Sequence, residues 1–225
     1  MNNKVGIKGP DPINTPVHFT IEEHALIQDT HFFETKATVS QKVKTLLLQL
    51  HFELKEELRE ISFLAPREFD PENYQFVKGE HLQGFPYLYL DFPKFFKGQE
   101  KLTFRTLFWW GHFFVFSLIL EGEYLHQYKR NLLDHYIALA NQGLFILMTD
   151  TLWEWRLDSN TLLEIRKDNK KEVSAALENR PFLKIHRYLV FDHPALKEGT
   201  VIEEALQTFR LMSLLVKAPV GKTGS

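Results

Sequence analysis

Cysteine is absent from this 225-residue chain. That excludes disulfides, thiol nucleophiles and thiolate-held zinc or iron–sulfur centres. The opening MNNKVGIKGPDPINTP lacks both the apolar core of a secretory signal and the Arg-rich amphipathic character of a transit peptide, so the expected location is the cytoplasm. An excess of charge of one sign is lacking too. With 27 basic and 29 acidic residues the net charge is −2, too little positive charge for a nucleic-acid footprint, and no nucleic-acid partner is expected.

A membrane-length apolar run is also missing. The longest, Phe104–Leu120, is interrupted by Arg105 and His112 and bounded by Glu121 and Glu123. Its uncharged part, Phe113–Leu120, is about half the roughly 20 residues a spanning helix needs, so no transmembrane segment is expected.

Complete chemical motifs are absent as well. Gly221-Lys222-Thr223 ends like a phosphate-binding loop, but the required earlier glycine is Val216. There is no dinucleotide-binding glycine pattern, nucleophile elbow, HExxH or EF-hand loop. Among ten histidines, His24 and His31 stand two helical turns apart, too far for a shared ion, and Asp134 and His135 are adjacent on a helix and diverge. No metal and no cofactor is expected.

What the chain has in quantity is phenylalanine, twenty in all. They imply a generous core, with an apolar pocket or an oligomer interface as the alternatives. The chain is expected to comprise a flexible arm (1–17), one domain (18–216) and a frayed tail (217–225). Thr20 and Glu23 form a capping box opening a helix from Ile21 to about Glu34. A second helix from Ser40 to about Ile61 carries Val43, Leu47, Leu50, Leu54 and Leu58 at helical spacing, and the two predict an N-terminal helical hairpin.

Residues 86–92 alternate as a strand, with Tyr87, Tyr89 and Asp91 on one face and Leu88, Leu90 and Phe92 on the other. A helix over 99–110, stopped by Gly111, is expected to precede a buried strand over 112–120. Further helices are predicted over 124–141, 168–179 and 200–216, with strands over 144–149, 152–157 and 182–191. Strands and helices mix without regular βαβ spacing. The predicted class is therefore α+β, a mainly antiparallel sheet covered by helices.

Two candidate sites follow. If His112, Asp91 and Arg105 converge, an acid–base histidine with an orienting carboxylate and an anion-binding guanidinium becomes available for catalysis. Trp153 and Trp155, two apart on the expected strand, share a face and form a ligand- or partner-binding surface. The leading reading is a soluble intracellular interaction or small-ligand-binding protein without catalysis, forming a homo-oligomer, with a small ligand or another protein as partner. The alternatives are an enzyme acting on a small anionic substrate through His112, Asp91 and Arg105, and a peripheral membrane protein exposing the central Phe/Trp stretch.

Overall fold

The computed structural model describes residues 16–218. Residues 1–15 of the expected arm (1–17) and residues 219–225 of the expected tail (217–225) lie outside the described residues. Contacts divide the chain at residue 41 into a short N-terminal unit and a larger body beginning at Lys42.

In the first unit, helix α1 (Ile21–Gln28) starts at the Thr20 capping box. The Thr20 N–H donates to Glu23 Oε2 (2.7 Å) and the Glu23 N–H to Thr20 Oγ1 (3.2 Å). The first break in helix falls at Asp29, whose carboxylate accepts the Phe32 N–H at 2.8 Å and so caps α2 (Thr30–Arg59). The expected break over 35–39 does not occur. Thr38, mid-helix, returns its hydroxyl to the Glu34 carbonyl at 3.0 Å and leaves the helix continuous. The helical hairpin is thus not formed with the expected boundaries.

The body is a seven-stranded antiparallel sheet with helices, an α+β fold. Its strands are β1 (Gln75–Leu82), β2 (Phe85–Lys97), β3 (Glu100–Trp109), β4 (Phe113–Glu121), β5 (Phe145–Leu147), β6 (Leu162–Glu164) and β7 (Phe182–Val190). The order across the sheet is β1-β2-β3-β4-β7-β5-β6. The remaining helices are α3 (Leu125–Asp134), α4 (Tyr136–Leu139), α5 (Lys170–Leu177), α6 (Pro194–Glu198) and α7 (Val201–Ser213). Lys217 and Ala218 are tied back to Phe63 and Ser62 by a β-bridge and a 2.8 Å backbone hydrogen bond.

The central stretch is a hairpin of two strands. The helix expected over 99–110 is instead β3, paired along its length with β2 and β4. Its sequence alternates between two buried faces: Leu102, Phe104 and Phe108 point one way, Arg105, Leu107 and Trp109 the other. Both faces are buried, so no solvent-facing polar side marks a period of two. Pairing on both sides overrides local helix preference. Gly111, at φ +73°, lets the chain reverse between Trp109 and His112, whose N–H returns to the Trp109 carbonyl at 3.1 Å.

One face of the sheet packs on helices, with Phe104 meeting Phe209 of α7 at 5.2 Å between ring centres. The same layer includes Phe92, Phe114 and Phe116, all buried. Each such ring contributes about 1.5–3 kcal/mol by leaving water. The core therefore absorbs many of the phenylalanines, while Phe19, Phe32, Phe33, Phe52, Phe85 and Phe191 stay exposed. Burial of β3 and β4 removes the central stretch as a membrane-contacting surface. Among the described residues no helix is long and apolar enough to cross a membrane.

Candidate functional site

The opposite face carries a polar row across four strands. Asp91, Arg105, Ser117 and His186 stand directly opposite one another on β2, β3, β4 and β7. Cross-strand partners project to the same side, so register alone gathers them.

Arg105 is clamped by Asp91. Its Nε donates to Oδ1 at 2.6 Å and its Nη2 to Oδ2 at 2.7 Å, both bonds buried. The guanidinium carbon lies 3.8 Å from the centre of the Tyr89 ring. Burial pushes the Asp91 carboxyl above its ordinary value, and the guanidinium opposes that shift. This side-on clamp leaves the Nη1 end of Arg105 unused by Asp91.

His112 does not join them. It follows the β3 turn, stacked on Trp109 at 3.7 Å and edge-on to Phe85 at 4.8 Å. Trp109 pairs with Tyr87 whereas Arg105 pairs with Asp91, four residues along the strand and roughly 13 Å away. The expected convergence of His112, Asp91 and Arg105 is therefore corrected: two of the three meet. Burial lowers the His112 pKa, and its Nε2 is buried without a hydrogen-bond partner.

The histidine in the row is His186, wholly buried, with Nδ1 2.7 Å from Ser117 Oγ. Desolvation, then the nearby Lys184, holds its pKa well below 6.5. Its Nε2 has no partner. Ser117 is equally sealed, so this pair is not presented to a substrate.

Trp153 and Trp155 lie in a loop; no strand forms over 152–157. Side chains take the place of ladder partners. The Trp153 N–H donates to Thr151 Oγ1 (3.2 Å), and the Trp155 and Arg156 N–H groups donate to Glu154 Oε1 (2.9 Å each). Hydrogen bonds from Arg156, led by its guanidinium, bring the Glu154 carboxyl down to about 2. The loop is tied to β7: Lys184 Nζ donates to the carbonyls of Leu152 (2.5 Å) and Glu154 (2.9 Å) and lies 3.3 Å from the centre of the Trp155 ring. Tyr188 Oη reaches the Arg156 carbonyl at 3.3 Å. Lys184 is fully buried, and desolvation, followed by the Arg105 charge, depresses its pKa well below 10.5.

Between this loop and strands β1–β3 lies a pocket of about 360 Å³. Tyr87 and Tyr89, with ring planes 5° apart, form one wall, and Trp153, Trp155 and Phe96 also line it. Arg105 and Lys94 supply its cations. Gly79 makes room for the Tyr87 ring, since a Cβ there would come within 2.3 Å of it. Trp153 is half-exposed at 48%, whereas Trp155 is buried at 3%. Among the described residues no cluster of three His, Asp or Glu side chains is placed to hold a metal ion.

Sequence reasoning missed Ser117, Lys184, His186 and the role of Tyr87 and Tyr89. Lys184 and His186 leave a signal: two polar residues two apart, hence on one face, in the largely apolar strand FLKIHRYLV.

No family model matches this chain, and no curated protein matches it. A solved structure similar to it is the conserved hypothetical protein Pfu-178653-001 from Pyrococcus furiosus, at 15% identity with a TM-score of 0.41. The match covers 81% of this chain and 99% of that one. So loose a likeness carries no argument about function.

Proposed function

We propose that this chain is a non-enzymatic small-ligand-binding protein acting inside the cell, with the aromatic pocket around Arg105 as its binding site. The observation that carries this reading is the prior anchoring of that guanidinium. Asp91 holds it in plane and Tyr89 covers it, so a ligand meets donors already fixed in place. The volume of about 360 Å³ sits within the range of small-molecule sites, and an apolar lining with few polar groups is their usual composition. The non-enzymatic part rests on the burial of Ser117 and His186 beneath the pocket, and on the distance of His112 from Arg105.

A second reading concerns assembly. Helix α1 has no buried residue, while Phe19, Ile21, Leu26, Ile27, Phe32 and Phe33 are all exposed. An eight-residue helix is marginal in water without packing. A second copy of the chain is the partner proposed for this segment.

Native mass spectrometry of the purified chain tests both readings. The expected result is a dimer or higher oligomer that releases a small molecule on collisional activation. An empty species that gains no mass from any small-molecule mixture contradicts the ligand reading. A strict monomer contradicts the assembly reading.

A further inference from the structure

The pocket's walls define a ligand more narrowly than its volume does. Tyr87 and Tyr89 present parallel, stacked rings whose centres are 6.1 Å apart, and together they line the pocket with aromatic surface. Arg105 lies 5.8 Å from Trp153 and 5.3 Å from Trp155, at the meeting of the two aromatic groups. Its Nε and Nη2 are committed to Asp91, so what it offers a newcomer is the Nη1 end.

Lys94 is the second cation in the lining, its Nζ 5.8 Å from the centre of the Phe96 ring. No acidic residue lines the pocket among the described residues. Asp91, the nearest counter-charge, is fully buried and spent on the far edge of Arg105.

We propose that the ligand is a flat aromatic monoanion, with its rings against Tyr87, Tyr89 and Trp153 and its carboxylate-like end toward Arg105 and Lys94. The proposal rests on the small-ligand reading above. One guanidinium end and one ammonium suit a single carboxylate rather than a polyphosphate. The pocket, at the small end of the range for ligand sites, suits one or two fused rings.

The test is calorimetric titration of the full chain with 2-naphthoate and with its neutral counterpart, 2-naphthamide. Naphthoate is expected to bind roughly tenfold or more tightly than the amide, the margin of a charge-assisted hydrogen bond over a neutral one. Lys94→Gln is expected to narrow that margin, and Trp153→Ala to weaken binding of both compounds. Both variants alter side chains outside the buried ion pair, so the fold is retained. Equal binding of the two compounds overturns the anion proposal and leaves the pocket reading standing. Binding of neither overturns both. Naphthoate binding untouched by Trp153→Ala and Lys94→Gln places the anion elsewhere and overturns the proposal.

Discussion

Replacing Asp91 by Asn is expected to cost about 3–5 kcal/mol of unfolding free energy, the usual loss when one partner of a buried ion pair is removed. The Arg105 side chain is 7% exposed and that of Asp91 is 0% exposed, so solvent does little to stabilise an unpaired charge there. An amide at position 91 returns a single acceptor oxygen and no charge. Replacing both residues, as Asp91→Leu with Arg105→Met, is expected to recover most of the loss. A buried pair exchanged for apolar groups of similar volume is often neutral or stabilising. Urea unfolding reads this directly as a lowered midpoint in Asp91→Asn and a restored one in the double variant, with similar denaturant slopes. The asymmetry bears on function. A pair that the fold tolerates losing, but not halving, is placed to hold a guanidinium at the pocket and not to supply stability. A loss below about 1 kcal/mol in Asp91→Asn marks the pair as solvated, since exposed pairs contribute that little.

The second large effect is expected from Lys184→Met. Lys184 spans from β7 to the Leu152 and Glu154 carbonyls, on either side of Trp153. Met fills much the same volume and donates nothing. Two hydrogen bonds are lost, which lowers the opening free energy of the loop by about 2 kcal/mol. The burial cost of the amine, which depresses its pKa, disappears at the same time. Global stability should therefore change less than local stability. Hydrogen exchange at the Trp153 and Trp155 amides is expected to quicken roughly 30-fold, while strand amides in β3 and β4 keep their wild-type protection. Binding in the pocket weakens with it, because Trp153 no longer stays in place. Unchanged exchange in the loop would show that Tyr188 and the Glu154 contacts hold it without Lys184.

Much of this architecture is legible in the sequence, and what was not has identifiable causes. The Thr20 capping box, the apolar stripe from Val43 to Leu58 and the alternation over 86–92 rest on local periodicity and side-chain chemistry, and each is present. The helix break at Asp29 is marked in the sequence by a single capping carboxylate, a weaker signal than the polar stretch that follows. Strand β3 was unreadable as a strand because both its faces are buried, which removes alternation as a signal. Strand β1, at the sheet edge, carries Gly79 and charged side chains and so shows no clean apolar alternation in the sequence.

At the site, Asp91 and Arg105 were visible as charged residues in apolar surroundings. The histidine nearest Arg105 in sequence is His112, beside the turn, whereas the one in their row is His186 of β7. The register that sets Ser117 and His186 in the same row depends on β4 pairing with β7, more than sixty residues apart in sequence. The spacing of Trp153 and Trp155 suggests a strand face, yet a loop brings them to the pocket. That loop is held by Lys184 of β7, a contact that no local pattern in the sequence announces.

The central claim is that the aromatic space around Arg105 receives a small molecule. Nitrogen–proton NMR of the four tryptophan indoles, during titration with flat bicyclic compounds, tests it most directly. The Trp153 and Trp155 signals are expected to shift together and to saturate. Trp110, packed on Phe108 away from the pocket, should stay where it is. Shifts that leave Trp153 and Trp155 unmoved, or that move Trp110 equally, would contradict the assignment of this pocket as the binding site.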